Sequence, residues 1–206
     1  MSKHSQSIDN NTLNRIYGHR GGWVFTPAHF IDLGSRDAIA TALKRHKRAG
    51  IIRQLARGLY DYPIDHPVLG RVAPSADAIA RALARRDATR LQPTGAYAAN
   101  VLGLSEQVPT RIEFLTDGPS RRVKLGRREI VLKHTTPRNM ATAGRRSGTV
   151  IQALRWLGQQ HIDDKVVSIL RRQLSPADRT QLLKDVKFAP SWIADLLRRL
   201  ATETPQ

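Results

Sequence analysis

The sequence predicts an α+β fold that is rich in helix and divided into two domains. Apolar residues recur at helical spacing near the N-terminus and along most of the C-terminal half. Shorter runs of β-forming residues lie around glycine turns in both halves of the chain. The segment 64–74 is rich in proline and lacks periodicity, which is typical of a linker. We therefore expect one domain over residues 1–68 and a second over residues 75–206.

The N-terminal part predicts the order helix, strand, helix, helix, hairpin. The expected elements are a helix over 9–19, a strand over 23–25, helices over 27–33 and 36–49, and strands over 51–55 and 59–63. Gly34 and Ser35 form the turn between the second and third helices, and Ser35 is a suitable N-cap. Gly58 supplies the tight turn between the two strands. This order predicts a winged helix-turn-helix, in which the third helix is free to enter a DNA groove.

The C-terminal part predicts a small antiparallel sheet followed by a helical tail. A helix capped by Ser75 begins this domain, and the small residues of "GAYAANVLGL" favour a closely packed second helix. Alternating β-forming residues around the turns "DGPS" and "LGR" place the sheet over 111–135. Four further apolar stripes, one of them begun by Ser175 and Pro176, predict the helices of the tail.

The charge of the chain indicates a polyanionic partner. The 206 residues include 34 Lys and Arg against 17 Asp and Glu, a formal net charge of +17, which exceeds what solubility requires. Nucleic acid, an anionic membrane surface and an acidic protein are the alternatives. The absence of cysteine excludes disulfides and thiolate metal sites, and the polar N-terminus and short apolar stretches argue against export or a membrane span. We therefore expect a cytoplasmic, nucleoid-associated protein with no membrane partner.

The polar face of the helix over 36–49 carries charge of almost one sign, since only Asp37 opposes its basic residues. The alternative is an ordinary solvated face, but solubility alone favours mixed signs. We expect Arg36 and Thr41 to contact bases, the lysines and arginines further along the helix to contact phosphates, and arginines at the wing to reach the backbone or minor groove. The predicted DNA-binding residues are Ser35, Arg36, Thr41, Lys44, Arg45, Lys47, Arg48, Arg53 and Arg57. His46 is expected to be packed in the core or at its boundary.

Three stretches of the chain carry a resemblance to a known family. They are "LGSRDAIATALKRHKRAGIIRQLARGLYDYP", "PTGAYAANVLGLSEQVP" and "IEFLTDGPSRRVKLGRREIVLKH". In these the chain resembles the AbiE-type (AbiEi) antitoxins of bacterial abortive-infection, type IV toxin-antitoxin systems. The resemblance implies a winged helix that represses the operon's own promoter at a double-stranded operator, for which we expect inverted repeats. It also implies a C-terminal domain that counters a cognate nucleotidyltransferase toxin. The residues alone leave open a stand-alone winged-helix transcription factor or an RNA-binding protein without a toxin partner.

A second basic cluster falls on the predicted sheet of the C-terminal domain. Its members are Arg121, Arg122, Lys124, Arg127, Arg128 and Lys133, with Glu129 among them. Flanking DNA, an acidic surface of the toxin, RNA and plain solvation are the alternatives. Aromatic residues that would stack on single-stranded RNA are sparse here, so DNA or the toxin is favoured.

The sequence lacks the motifs of common catalytic and cofactor sites. Neither H-E-x-x-H nor G-x-x-x-x-G-K occurs, and the histidines are scattered. Gly34 and Ser35 could begin a nucleotidyltransferase signature, but the Asp-x-Asp pair it needs about a dozen residues later is replaced by "LKRHKRAG". Asp61, Asp65 and His66 could form a cation site, although acids in such loops are usually solvated. We expect no enzymatic activity, no cofactor and no metal.

Overall fold

The computed structural model describes residues 3–107 and 109–202. The chain divides into two compact units, Met1–Ala88 and Thr89–Gln206. The described residues form eight α-helices and several short strands, joined by turns and loops. This composition confirms the predicted helix-rich α+β class. No helix in the described ranges is long and apolar enough to cross a membrane.

The first unit contains three helices, a three-stranded sheet and a separate hairpin. Its elements are α1 (Lys3–Gly18), β1 (Val24–Phe25), a 3₁₀ turn (Pro27–Phe30), α2 (Arg36–Arg48), β2 (Arg53–Ala56), β3 (Leu59–Asp61), β4 (Ile64–His66), β5 (Gly70–Val72) and α3 (Ala76–Asp87). The sheet is antiparallel with the order β1-β3-β2, and Val24 of β1 pairs with Asp61 of β3. Strands β4 and β5 pair only with each other among the described strands.

Helix α2 begins at Arg36, as the sequence predicts, and ends at Arg48, one residue before the predicted end. Its N-cap Ser35 accepts a hydrogen bond from the Ala38 amide at 3.3 Å, and Gly50 follows the helix at φ +72°, a conformation that suits glycine. The core that α2 packs on is built from aromatic and aliphatic side chains of four elements and their loops: Ile16, Phe25, Phe30, Ile39, Leu43 and Ile52. His46 is buried, as predicted.

Three features of the first unit differ from the sequence-based expectation. The predicted helix over 27–33 is only the 3₁₀ turn, in which the buried Phe30 packs into the core. The segment 64–74, expected to be a linker, contains the hairpin β4–β5. Arg53, which lies outside the segment, holds this hairpin by donating hydrogen bonds to the carbonyls of Arg71 and Val72. Helix α3, expected to begin the second domain, belongs to the first unit because it packs against β1. The division falls after Ala88 instead of within 69–74.

The second unit joins a four-stranded sheet to five helices. Its elements are β6 (Leu91–Pro93), α4 (Gly95–Val101), β7 (Arg111–Thr116), β8 (Arg121–Leu125), β9 (Arg128–His134), α5 (Arg146–Leu157), α6 (Asp164–Gln173), α7 (Pro176–Asp185) and α8 (Ser191–Thr202), with 3₁₀ turns at Gln159–His161 and Val186–Phe188. The helices enclose an apolar core around Leu154, Leu170 and Leu197.

The sheet of the second unit has the order β6-β7-β9-β8 and is mixed. The pair β8–β9 is antiparallel, as predicted, whereas β7 and β9 run parallel. Strand β6, which lies outside the predicted sheet over 111–135, adds a further antiparallel pair with β7. The consecutive residues Ile130, Val131 and Leu132 of β9 are all buried. A strand with a continuous apolar run is favoured in the middle of a sheet, and the alternating β8 is left at the edge.

Candidate nucleic-acid interface

Helix α2 presents a basic stripe on the side opposite its buried residues. Successive residues of an α-helix are turned by about 100°, so the residues farthest from Ile39 and Leu43 form one stripe along the helix. This stripe consists of Asp37, Thr41, Lys44 and Arg48, all of which are exposed. Arg36 and Lys47 lie on one flank of the stripe and Arg45 lies on the other.

The cations of α2 differ in how far they are already paired. The guanidinium of Arg45 lies 3.9 Å from the Asp9 carboxylate of α1, and the Lys47 ammonium donates a 2.7 Å hydrogen bond to the side chain of Gln54. By contrast, Arg36, Lys44 and Arg48 form no ion pair with any described acid. The unpaired cations are therefore the ones best able to meet an external anion.

The turn between β2 and β3 adds one more exposed cation. Arg57 forms no ion pair within the described part of the chain, and Gly58 beside it adopts φ +70°. This left-handed conformation allows the tight turn that presents Arg57. The hairpin therefore offers a basic tip next to the strand that holds Gln54, the partner of Lys47.

Arg53 was predicted to bind DNA with Arg57, but its donors are used inside the protein. Its Nε donates to Asp61 Oδ1 at 3.1 Å, a second nitrogen bonds Asp61 Oδ2, and the same nitrogen donates to the Val72 carbonyl at 2.7 Å. The hydrogen bonds that Arg53 donates to the Asp61 carboxylate raise the pKa of the guanidinium. We therefore assign Arg53 to connecting β2, β3 and β5 and not to a nucleic-acid contact.

Arg71 is a structural residue that sequence reasoning missed. Its guanidinium donates to the Gly50 carbonyl, just beyond the end of α2, at 3.0 Å and lies 3.4 Å from the exposed Asp65 carboxylate. Together with Arg53 it fastens the hairpin β4–β5 to the rest of the unit. No local sequence signal marks this role, because its partner Gly50 lies 21 residues away along the chain.

The six residues of the second basic cluster do not share one face of the sheet. In the β8–β9 register, Arg122 lies opposite Val131 and Lys124 opposite Glu129, which puts Arg122, Lys124 and Lys133 on one face. Arg121 and Arg128 point to the other face, and Arg127 lies in the turn between the strands.

The face with Arg122 and Lys124 also carries acids. Arg111 lies on it, 2.7 Å from Glu113 and 3.9 Å from Glu129. On this surface the acids pair with Arg111, whereas the single acid of the stripe on α2, Asp37, leaves Lys44 and Arg48 without an ion pair to a described acid. The first unit is the better candidate for binding a polyanion.

No metal site is found among the residues that the structure describes, where no group of three His, Asp or Glu side chains converges. The acids considered from the sequence are used otherwise. The sequence predicts a solvated Asp61, but this residue is fully buried against Arg53. His66 accepts hydrogen bonds from the amides of Val68 and Leu69 at 3.2 Å.

The geometry defines the first unit as a small helical and sheet module with a basic helix and a basic hairpin tip. The chain belongs to the DUF6088 family, a family of unknown function, whose profile matches residues 11–182. A search among curated proteins found no match.

Proposed function

We propose that the first unit is a winged helix-turn-helix that binds double-stranded DNA with α2 in the major groove. The order of its elements and the β1-β3-β2 sheet support this reading, with the 3₁₀ turn in the place of the first helix of the pair. A helix of 13 residues is about 20 Å long and fits a major groove about 12 Å wide. In this arrangement β2 and β3 form the wing, with Arg57 near its tip.

One observation carries the proposal: three cations of α2 are exposed and have no acidic partner in the described ranges. Arg36 lies in the first turn, where recognition helices most often contact bases, and Lys44 and Arg48 follow along the outer stripe. Thr41 lies on the same stripe and can contact a base through its hydroxyl or methyl group. Lys47 and Arg45 flank the stripe and can adjust to reach phosphates.

The wider role that we propose is that of a repressor and antitoxin of a type IV toxin-antitoxin system. It rests on the resemblance to AbiE-type antitoxins, which spans both units. In this role the first unit represses the operon's own promoter, and the second unit counters a nucleotidyltransferase toxin in the cytoplasm. No catalytic step is assigned to the chain itself.

Binding of the full chain to a labelled fragment of its own promoter tests the DNA proposal. The variant K44Q/R48Q removes two stripe cations, and the control K165Q/R172Q removes two exposed cations from α6. We expect the stripe variant to lose affinity at least tenfold and the control to change less than twofold. An equal loss in both variants would contradict a specific role for α2.

Co-expression tests the antitoxin proposal. A reading frame next to this one that carries the Gly-Ser and Asp-x-Asp signature is expressed with the full chain or with residues 1–88. Growth should be rescued by the full chain and not by the first unit, at equal toxin levels. Promoter binding without any rescue would favour a stand-alone transcription factor.

A further inference from the structure

The first unit contains a cleft on the side of α3 that the proposed DNA contact does not use. The cleft has a volume of about 350 Å³, within the range of small-molecule sites. One stripe of α3, consisting of Ser75, Ala78, Arg81, Ala82 and Arg85, faces it, and Trp23, Val24 and His29 line the opposite side. The small side chains of Ala78 and Ala82 leave room between the two arginines and the wall formed by Trp23.

Among the described residues that line the cleft there are two arginines and no acid. Arg81 and Arg85 are separated by one helical turn, a spacing at which both side chains can reach one anion. Arg85 forms no ion pair with any acid in the described ranges, and Arg81 is 3.9 Å from Asp77 with its side chain 78% exposed. The N-terminal end of α3, capped by Ser75, adds the positive end of the helix dipole.

His29 is fixed at the edge of the same cleft. Its Nδ1 lies 3.2 Å from the amide, the hydroxyl and the carbonyl of Thr26, so the ring is held in place and its Nε2 is on the side away from Thr26. The pKa of His29 is lowered, mainly by burial, and the charges of Arg85, His19 and Arg15 lower it further. These charges give the surroundings of His29 a positive electrostatic potential, which a bound anion would reduce.

A second depression adjoins the cleft and shares His29 and Arg85 with it. Of the described residues that line this depression, Asp32 is the one acid, and Arg15 donates two hydrogen bonds of 2.7 and 2.6 Å to its carboxylate. The positive charge around Arg85 is therefore not neutralised from this side either. Trp23 supplies an aromatic wall, and the ring of His19 stacks on it with 3.8 Å between the ring centres.

We propose that this cleft binds a small organic phosphate of about the size of a mononucleotide. Arg81 and Arg85 hold the phosphate, and Trp23 and Val24 contact the organic part. Two arginines one turn apart match the several oxygens of a phosphate, and the apolar wall beside them favours a ligand with a flat organic group over a bare ion. The site is independent of the proposed DNA contact, because neither Arg81 nor Arg85 lies on α2 or the wing.

Calorimetric titration of the full chain with AMP, inorganic phosphate and adenosine tests the site. We expect saturable one-to-one binding of AMP, at least tenfold tighter than that of phosphate or adenosine. The variant R81Q/R85Q should bind AMP at least tenfold more weakly, whereas the charge-matched control R48Q/R57Q should match the parent within twofold. Both pairs are exposed, and thermal melts verify that the variants are folded.

NMR titration of His29 gives a second readout, since bound AMP should raise its pKa by offsetting the charges of Arg85, His19 and Arg15. Three results would overturn the proposal: no saturable AMP binding, equal affinities for AMP and phosphate, or unchanged AMP binding in R81Q/R85Q. A loss of promoter affinity in R81Q/R85Q equal to that in R48Q/R57Q, with no AMP binding, would instead make the cleft a contact for the DNA backbone.

Discussion

At the scale of single residues, Arg36 and Arg48 should contribute differently to DNA binding. Arg36 lies in the first turn of α2, whereas Arg48 lies at its last residue. Arg36→Ala should cost about 1–3 kcal/mol on the operator and relax the preference at one base pair, whereas Arg48→Ala should weaken binding to all sequences alike. Competition between operator and scrambled duplexes at fixed salt measures both. Equal losses on the two duplexes for Arg36→Ala would remove its base-reading role.

Arg53 and Arg57 are close in sequence but should differ in their effect on stability. Arg53→Ala leaves the buried Asp61 carboxylate without its partner, which should cost about 3 kcal/mol or more of the free energy of unfolding. Arg57→Ala removes an exposed side chain and should change stability by less than about 0.5 kcal/mol. Chemical denaturation of the two variants tests this pair. Similar stabilities would mean that the Arg53–Asp61 contact does not hold the hairpins together.

Gly148 of α5 should not tolerate alanine, although alanine is usually the better helix former. A Cβ at this position would collide with the side chain of Gln92 and with the carbonyl and hydroxyl of Thr142. Such overpacking should cost about 1–3 kcal/mol and lower the melting temperature. Gly18, at the end of α1, has open space around its missing Cβ and provides the matched control. A Gly148→Ala variant as stable as Gly18→Ala would contradict the packing between α5 and β6.

At the scale of elements, the sequence predicted what local patterns determine. The bounds of α2, its Ser35 cap and the hairpin around Gly58 follow from residues within a few positions of each other. The hairpin β4–β5 was missed because its anchors, Arg53 and Gly50, lie outside it. The same holds for α3, whose place in the first unit depends on packing against β1. Likewise, no local signal distinguishes a parallel β7–β9 pair from an antiparallel one.

The candidate site was predictable in part for the same reason. Helical periodicity was enough to define the exposed side of α2, including Thr41 and Lys44. It could not show that the donors of Arg53 are used by Asp61, because a buried acid at the end of a strand has the same local sequence pattern as a solvated one. The cleft beside α3 combines Trp23 and Arg85, and only the tertiary fold brings them together.

The link between α1 and the 3₁₀ turn predicts a pH dependence. Arg15 donates to the His29 carbonyl at 2.7 Å and to both oxygens of Asp32. The hydrogen bonds from Arg15 to the Asp32 carboxylate are the largest cause that lowers the pKa of Asp32 to about 2. Because the pKa is lower in the folded state, the stabilisation is present above the ordinary pKa of aspartate and is lost as the pH falls towards about 2. Carboxyl NMR titration should give this value, and Arg15→Gln should return it towards 3.8. An unchanged midpoint in Arg15→Gln would rule out the ion pair as its cause.

At the scale of the whole molecule, both units carry excess positive charge. Of the 34 basic and 17 acidic residues, 14 and 7 lie in residues 1–88 and the remainder in residues 89–206. Charge alone therefore does not indicate which unit is the better candidate for binding DNA. The distribution of the charge does, because three cations of α2 form no ion pair with a described acid, whereas the cations on one face of the second unit's sheet alternate with Glu113 and Glu129.

The salt dependence of promoter binding should reveal this difference. If Lys44, Arg48 and Arg57 each neutralise one phosphate, the slope of log K against log salt should be about −3 for each bound chain. The slope should be the same for the full chain and for residues 1–88, once circular dichroism verifies that the fragment is folded. Removing Arg48 should flatten it by about one unit. A full-chain slope steeper than that of the fragment by two or more units would mean that the basic residues around Arg122 also contact flanking DNA. A slope near zero in both would mean that α2 does not bind the phosphate backbone at all.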